Sequence, residues 1–227
     1  MRYLHPTPGV FLSRPNRFIA MVEVEGQVQR CHVKNTGRCK ELLLPGAKLI
    51  LNRAANPSRA TRYDVVAVYK GDALINMDSY APNIAFGEYL REGGFLPGLA
   101  LVKPEARFGD SRFDFYAESP EKKIFIEVKG VTLEENGLAM FPDAPTLRGA
   151  KHLGELAKAV AQGYEAHAVF VIQMKGCSLF RPNIRTDPAF AQALREAAQG
   201  GVHISALDCR VTEDSMVIDA PVAAQWA

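Results

Sequence analysis

Apolar and polar residues alternate along RFIAMVEVEG (residues 17–26), which ends in the turn pair Glu25-Gly26, and again along QVQRCHVKN (27–35). A period of two puts successive side chains on opposite faces of a sheet, so this pair predicts a β-hairpin. GAKLILNRA (46–54) and RYDVVAVYKGDALINM (62–77) predict further strands, with Gly71-Asp72 as a turn. Short strands with frequent turns predict a small barrel or sandwich. The punctuation SYAPN (79–83) predicts a boundary, giving one domain over residues 1–80 and a second over 81–227.

The second region changes its rhythm. IAFGEYLREGG (84–94) predicts a short helix stopped by Gly93-Gly94, and residues 107–131 predict a β-hairpin. Within FPDAPTLRGAKHLGELAKAVAQG (141–163), Leu147, Ala150, Leu153, Leu156 and Val160 recur at helical spacing, between Thr146 as N-cap and Gly163 as stop. HAVFVIQM (167–174) is a continuous apolar run, as in a strand covered on both faces. TDPAFAQALREAAQGG (186–201) predicts a helix capped by Asp187 with Pro188 in its first turn. VHISALDCR (202–210) and SMVIDA (215–220) predict closing strands. The expected class is α/β in this half and α+β overall, with helices flanking a mixed sheet.

Asp114, Glu127 and Lys129 interrupt the apolar pattern of the 107–131 hairpin. Strand alternation puts Phe113 and Phe115 on one face and Arg112, Asp114 and Tyr116 on the other; Glu127 and Lys129 likewise share a face. If the strands pair, Asp114 lies beside Glu127. Two adjacent carboxylates repel unless one takes a proton or a cation sits between them. Mg2+ or Mn2+ suits carboxylate oxygens, and such an ion with a nearby lysine fits phosphodiester hydrolysis. A cross-strand ion pair on a solvated face explains the same letters.

Net charge is +2, but residues 1–80 carry +6 and residues 81–227 carry −4. The basic half favours a polyanionic partner such as nucleic acid, double- or single-stranded DNA among them, and a solvated surface that happens to be basic explains the same imbalance. Candidate phosphate contacts are Arg14, Arg17, Lys34, Arg38 and Lys40, the last three around a Thr36-Gly37 turn, with Arg53, Arg59 and Arg62 following. On the 146–160 helix, Arg148, Lys151 and His152 are candidates for the same role, and His152 is in principle a general base. Gln173 is either a polar site residue or a satisfied strand-end amide. Phe18 and Tyr63 are expected in the core. Four cysteines without a CxxC pair predict reduced thiols and no zinc site. No apolar run reaches membrane-span length and no secretory signal is recognisable, so the expected location is the cytoplasm. No Walker loop or GxGxxG appears, and no organic cofactor is expected. A homodimer is compatible with the sequence.

The order Asp…Glu-x-Lys on a hairpin followed by a helix resembles the PD-(D/E)xK nuclease superfamily. HVKNTGRCKELLLPGA, APN, SRFDF, EVKGVTL, FPDAPTLRGAKHLGEL and DPAF more specifically resemble the sugar fermentation stimulation protein A family, across nearly the whole chain. That resemblance implies an N-terminal oligonucleotide-binding (OB)-like barrel, a C-terminal nuclease-like domain, DNA binding, and a link to regulation of sugar (maltose) metabolism. It implies that Asp114 and Glu127 are the motif acids, Lys129 the motif lysine, and Glu88 an additional metal ligand. Phe113 stands where the motif usually has proline.

Overall fold

The computed structural model describes every residue except Thr36, Pro57 and Ala227. The first sheet contains β1 (Pro6–Asn16), β2 (Ile19–Val24), β3 (Gln27–Val33), β4 (Lys48–Arg53), β5 (Tyr63–Lys70) and β6 (Ala73–Asn76). Its order is β3-β2-β1-β4-β5-β6, and β3 also pairs in parallel with β5, closing the first five strands into an OB-like barrel. Alternation in β2 buries Ala20, Val22 and Val24 inside. The β2–β3 turn at Glu25-Gly26 has positive φ at both residues, as a tight hairpin turn requires. β1 lacks an alternating signal, because Pro6, Pro8, Gly9 and Pro15 interrupt it; its pairing with both β2 and β4 overrides that composition.

The second sheet takes β7 (Leu101–Phe108), β8 (Ser111–Glu118), β9 (Lys123–Val131), β10 (Leu133–Glu135), β11 (Leu138–Phe141), β12 (Glu165–Ile172), β13 (Leu179–Pro182), β14 (His203–Val211) and β15 (Met216–Ala224), in the order β10-β11-β13-β15-β14-β12-β9-β8-β7. β9, β12 and β14 run parallel at its centre, and β14–β15 is antiparallel, so the sheet is mixed. Helix α1 (Ala81–Arg91) covers one face, burying Phe86 and Leu90 against Phe115, Ile126 and Val128. Helices α2 (Leu147–Ala161) and α3 (Pro188–Gln199) cover the other, with Leu153, Leu156, Phe190 and Leu194 over Phe125, Ala168 and Phe170. Thr146 and Asp187 are the N-caps of α2 and α3, accepting from Gly149 N–H and Phe190 N–H. Leu147, expected in the core stripe, is 90% exposed because it lies in the first turn of α2, beyond the sheet. All four cysteines are buried thiols, pushed upward in pKa mainly by that burial. Among the described residues no helix is long and apolar enough to cross a membrane.

The sheets share one apolar cluster, which runs from Val22 and Leu51 of the barrel to Val131 and Phe170 of the second sheet, and polar contacts join them as well. Gln173, just beyond β12, donates from Nε2 to the carbonyls of Asn76 and Asp78, and its backbone N–H bonds to Val131 O at 2.9 Å. Gln173 is thus a satisfied amide joining the end of β9 to the barrel.

Candidate functional site

Asp114 sits where β8 parts from β9 while staying paired with β7. The β8–β9 ladder runs from Glu118↔Lys123 to Phe115↔Ile126 and no further. One residue on, the Asp114 carboxylate takes the place of a backbone partner: Oδ2 accepts from Val128 N–H at 2.7 Å. The alternation expected for β8 fails at this point. Phe115 packs on Phe86 of α1, whereas Phe113 joins Phe108, Phe125 and His152 on the α2 side. The second oxygen, Oδ1, accepts from Asn83 Nδ2 at 2.7 Å, so the start of α1 fixes the carboxylate's orientation.

Glu127 lies on the central strand β9 and is 3% exposed. Its Oε1 accepts from Lys129 Nζ at 2.5 Å and from His152 Nδ1. Arg148 Nε–H points at His152 Nε2 at 3.4 Å, which leaves the imidazole proton on Nδ1, facing the acid. Oε2 of Glu127 is buried and has no partner. Burial pushes the Glu127 carboxyl up, but the His152 and Lys129 bonds outweigh it and hold the group below the usual range. Asp114 goes the other way: burial, then the Glu127 charge, push it up to about 6 despite the bonds from Val128 and Asn83. The pair therefore divides into one acid held ionised and one that takes a proton readily, as expected where two carboxylates compete for one site.

Several expected site residues have other duties. Glu88 pairs with the amino group of Met1 at 2.5 Å. Five residues separate it from Asn83, which turns it about 140° around the helix, away from the neighbour of Asp114. Asn83 is the α1 residue that reaches the acids. Arg14 is not a free cation: Nη1 donates to Arg38 O, and Nη2 to the carbonyls of Arg17, Asn35 and Gly37. It clamps the 35–38 loop rather than presenting charge; Thr36, at the centre of the expected turn, lies outside the described residues. Lys34 is bonded to the buried Asp78 at 2.5 Å. Arg59 is paired with Asp64. Arg17, Arg38, Lys40, Arg53, Arg62, Arg148 and Lys151 remain exposed. His152 is buried, held by the acid rather than displayed on the helix surface. Phe18, expected inside, is exposed at the β1–β2 turn, while Tyr63 packs against the barrel core. Asn83 reads only as part of the break at residues 79–83 and of the APN motif, and Asp78 falls between that break and the strand before it, so neither stands out in the sequence as a site residue.

A cleft of about 430 Å3 opens between barrel and sheet, lined by Arg17, Ser79, Gly130, Thr132, Thr146 and Gln173 among others. Gly130 directly follows Lys129, so the cleft reaches the acid-bearing strand. A Cβ at Gly130 would fall 2.5 Å from Gln173 Oε1 and 2.8 Å from Pro82 Cγ, so only glycine fits there.

Comparison with known proteins identifies relatives over the full fold. A family model described as "Sugar fermentation stimulation protein RE domain" matches residues 80–215, and another described as "SfsA N-terminal OB domain" matches residues 12–77. A sugar fermentation stimulation protein homolog from Desulfitobacterium hafniense (strain Y51) is 58% identical over 95% of this chain and 94% of its own length. One from Clostridium beijerinckii is 52% identical over 96% of each. A solved structure described as Pyrococcus furiosus SfsA in complex with Ca2+ superposes with a TM-score of 0.89 at 30% identity, covering 99% of both chains.

Proposed function

This chain belongs to the sugar fermentation stimulation protein family, and from that premise we propose that it binds DNA and hydrolyses phosphodiester bonds with a divalent cation held by Asp114 and Glu127. The observation that carries this reading is Glu127 Oε2, a buried carboxylate oxygen with no partner. Leaving such an atom unmatched costs on the order of 1–3 kcal/mol or more. A hard cation meets that need, and the Asp114 oxygens, each with one hydrogen bond, retain lone pairs for it. Among the described residues no group of three or more His, Cys, Asp or Glu side chains could hold a metal ion. The donor set therefore suits Mg2+ or Mn2+, which keep several waters, better than an ion needing an all-protein cage. The Ca2+ in the Pyrococcus furiosus complex is likewise a hard cation. An ion held there would supply charge to polarise a phosphate oxygen and to acidify a water.

The surrounding residues have distinct tasks. Lys129 brings a positive charge to the place where negative charge develops on the phosphate. His152 fixes the Glu127 rotamer and is itself fixed by Arg148, the outer-shell support that metal-binding carboxylates need. Asn83 and Val128 N–H orient Asp114. Exposed Arg17, which lines the cleft, Arg38 and Lys40 in the first domain, and Arg148 and Lys151 on α2, are suited to phosphate contacts.

The test is incubation of plasmid and single-stranded DNA with Mg2+ or Mn2+. Wild-type protein yields products that accumulate with time; Glu127→Ala yields none. Equal cleavage by that variant would assign the activity to a contaminant. The basic barrel favours one second reading, a DNA-binding regulator of sugar (maltose) metabolism genes that does not cut. Its signature is binding that weakens steeply with salt and no product with any divalent ion.

A further inference from the structure

Asp78 lies between β6 and α1 and is 2% exposed. Its carboxylate is shared between the barrel and the helix. Oδ2 accepts from Lys34 Nζ at 2.5 Å, and Lys34 directly follows the barrel strand β3. Oδ1 accepts from Tyr80 N–H at 3.0 Å, at the N-cap of α1, where the Tyr80 side chain makes no capping bond of its own. The Asp78 carbonyl accepts from Ala81 N–H and from Gln173 Nε2, each at 3.2 Å. Asn83 stands three residues beyond Tyr80, within the same first turn, and donates to Asp114 Oδ1 at 2.7 Å. A continuous run of contacts therefore leads from the barrel to one of the two acids: Lys34, Asp78, the first turn of α1, Asn83, Asp114.

We propose that Lys34 is a positioning residue for the cation site: by holding the Asp78 carboxylate it sets the first turn of α1, and with it the reach of Asn83 to Asp114. This rests on the proposed function and names a residue on the barrel side that tunes that same site. It gives Lys34 a role other than the phosphate contact its sequence suggests, since its ammonium is committed to Asp78 and its side chain is only 23% exposed. A buried carboxylate that loses its cation is strongly disfavoured, and it turns toward water or another donor. Such a turn of Asp78 takes Oδ1 away from Tyr80 N–H. The first turn of α1 has little slack, because Pro82 packs on Gly130, the residue after Lys129: a Cβ there would lie 2.8 Å from Pro82 Cγ. Movement of this turn is therefore felt both at the Asn83 bond and at the acid-bearing strand β9. Val128 N–H holds the other Asp114 oxygen without involving Asp78, which limits the effect to part of the acid's orientation.

The experiment is calorimetric titration of the full chain with Mn2+ at pH 7.5, beside NMR spectra of the Asn83 side-chain amide in EDTA. The main variant is Lys34→Met/Asp78→Asn. It removes both charges, leaves neither buried alone, and keeps a side-chain oxygen able to reach Tyr80 N–H, so that the tie to the barrel is what is lost. Lys34→Gln, which keeps a donor for Asp78, is the second variant and serves should the first not fold. Each is expected to bind Mn2+ about two- to fivefold more weakly than the wild type, and to shift the Asn83 amide resonances toward those of a free side chain. Because Lys34 acts through Asn83, adding Asn83→Ala to either variant should give no more than the loss that Asn83→Ala gives alone. Unchanged Mn2+ affinity, unmoved Asn83 resonances, or losses that multiply in the combined variant each overturn the inference and leave the proposed function standing. No Mn2+ uptake by the wild type overturns both.

Discussion

Asp64 in the barrel and Glu127 in the mixed sheet are both buried carboxylates held below the usual pKa range, yet they differ in what surrounds them. Asp64 Oδ1 meets Arg59 Nη2 at 2.7 Å and His32 Nδ1 at 3.2 Å, and Oδ2 meets Arg59 Nη1 at 3.1 Å. Arg59 forms a bidentate fork, and both oxygens are matched. Glu127 has two donors crowded on Oε1 and none on Oε2. The first arrangement is complete and holds β5 to the 59–61 loop. The second is incomplete at one oxygen. A depressed carboxylate pKa does not by itself distinguish a structural ion pair from a reactive site. The unmatched oxygen taken together with a neighbouring acid shifted the opposite way does; Glu41 Oε1 is also unmatched, but no such acid accompanies it among the shifted groups.

The largest effect that sharpens this contrast is on the reaction. Glu127→Gln should lower cleavage by roughly a thousandfold or more, an effect of about 4 kcal/mol on the barrier, and should also lower the thermal midpoint, because the depressed pKa marks the ionised carboxylate, paired with Lys129 and His152, as the form that stabilises the fold. A cleavage assay beside a melting curve reads both, and a folded variant that still cuts would reverse the assignment. Next is the pH dependence of the metal-free protein. Asp114, raised to about 6, contributes stability that is fully present below its unfolded value near 3.8 and is lost as pH rises through 6. That amounts to about 3 kcal/mol across the window. Asp64 has the opposite sign: its depressed pKa contributes stability above the unfolded value, lost as pH falls through the folded one. His167, whose pKa burial lowers, acts in the opposite direction over the same range, so the contribution of Asp114 is read as a difference: in denaturant melts in EDTA the stability of the wild type relative to Asp114→Asn should rise as pH drops from 7.5 to 5.

The same contrast marks where the sequence was legible. Glu127, Lys129 and Asp114 announce themselves because charged letters interrupt an apolar alternation, and alternation is a local property. The barrel strands β2 and β3 and the capped helices α2 and α3 are legible for the same reason. β1 is not, because three prolines and a glycine mask a strand held by its neighbours. The orientation of Phe113 was misread because alternation presumes an unbroken ladder, and the ladder stops where a side chain replaces a backbone acceptor. That Asn83 faces Asp114 while Glu88 meets the Met1 amino group was not legible, because a helix's rotation about its axis depends on what it packs against, which its own letters leave open. Arg14 looked like every other exposed arginine; only the folded loop brings four carbonyls to its guanidinium.

Removing the charge of Asp64 tests the complete arrangement. Asp64→Asn should cost about 2 kcal/mol in thermal or urea melts, since it removes the charge from a hydrogen-bonded pair, discounted for the partly exposed Arg59. Cation uptake by calorimetry should be unchanged. A loss of cation affinity in this variant would mean that the two carboxylates are coupled and the contrast is misplaced.

The smallest effect is the most discriminating. Asn83 donates one hydrogen bond, to Asp114 Oδ1, and favours the ionised carboxylate. Asn83→Ala should push the Asp114 pKa further upward and weaken cation binding by about fivefold, near 1 kcal/mol, the ordinary value of one such bond. Its stability cost should depend on pH, being larger at 7.5, where Asp114 is ionised and needs the donor, than at 5, where it carries its own proton. A simple packing role for Asn83 predicts the same cost at both values. Melts of this variant in EDTA at the two pH values, set beside cation titrations at 7.5, separate these accounts. A pH-independent loss with cation affinity intact would reduce Asn83 to a piece of the helix start and leave Asp114 oriented by Val128 N–H alone.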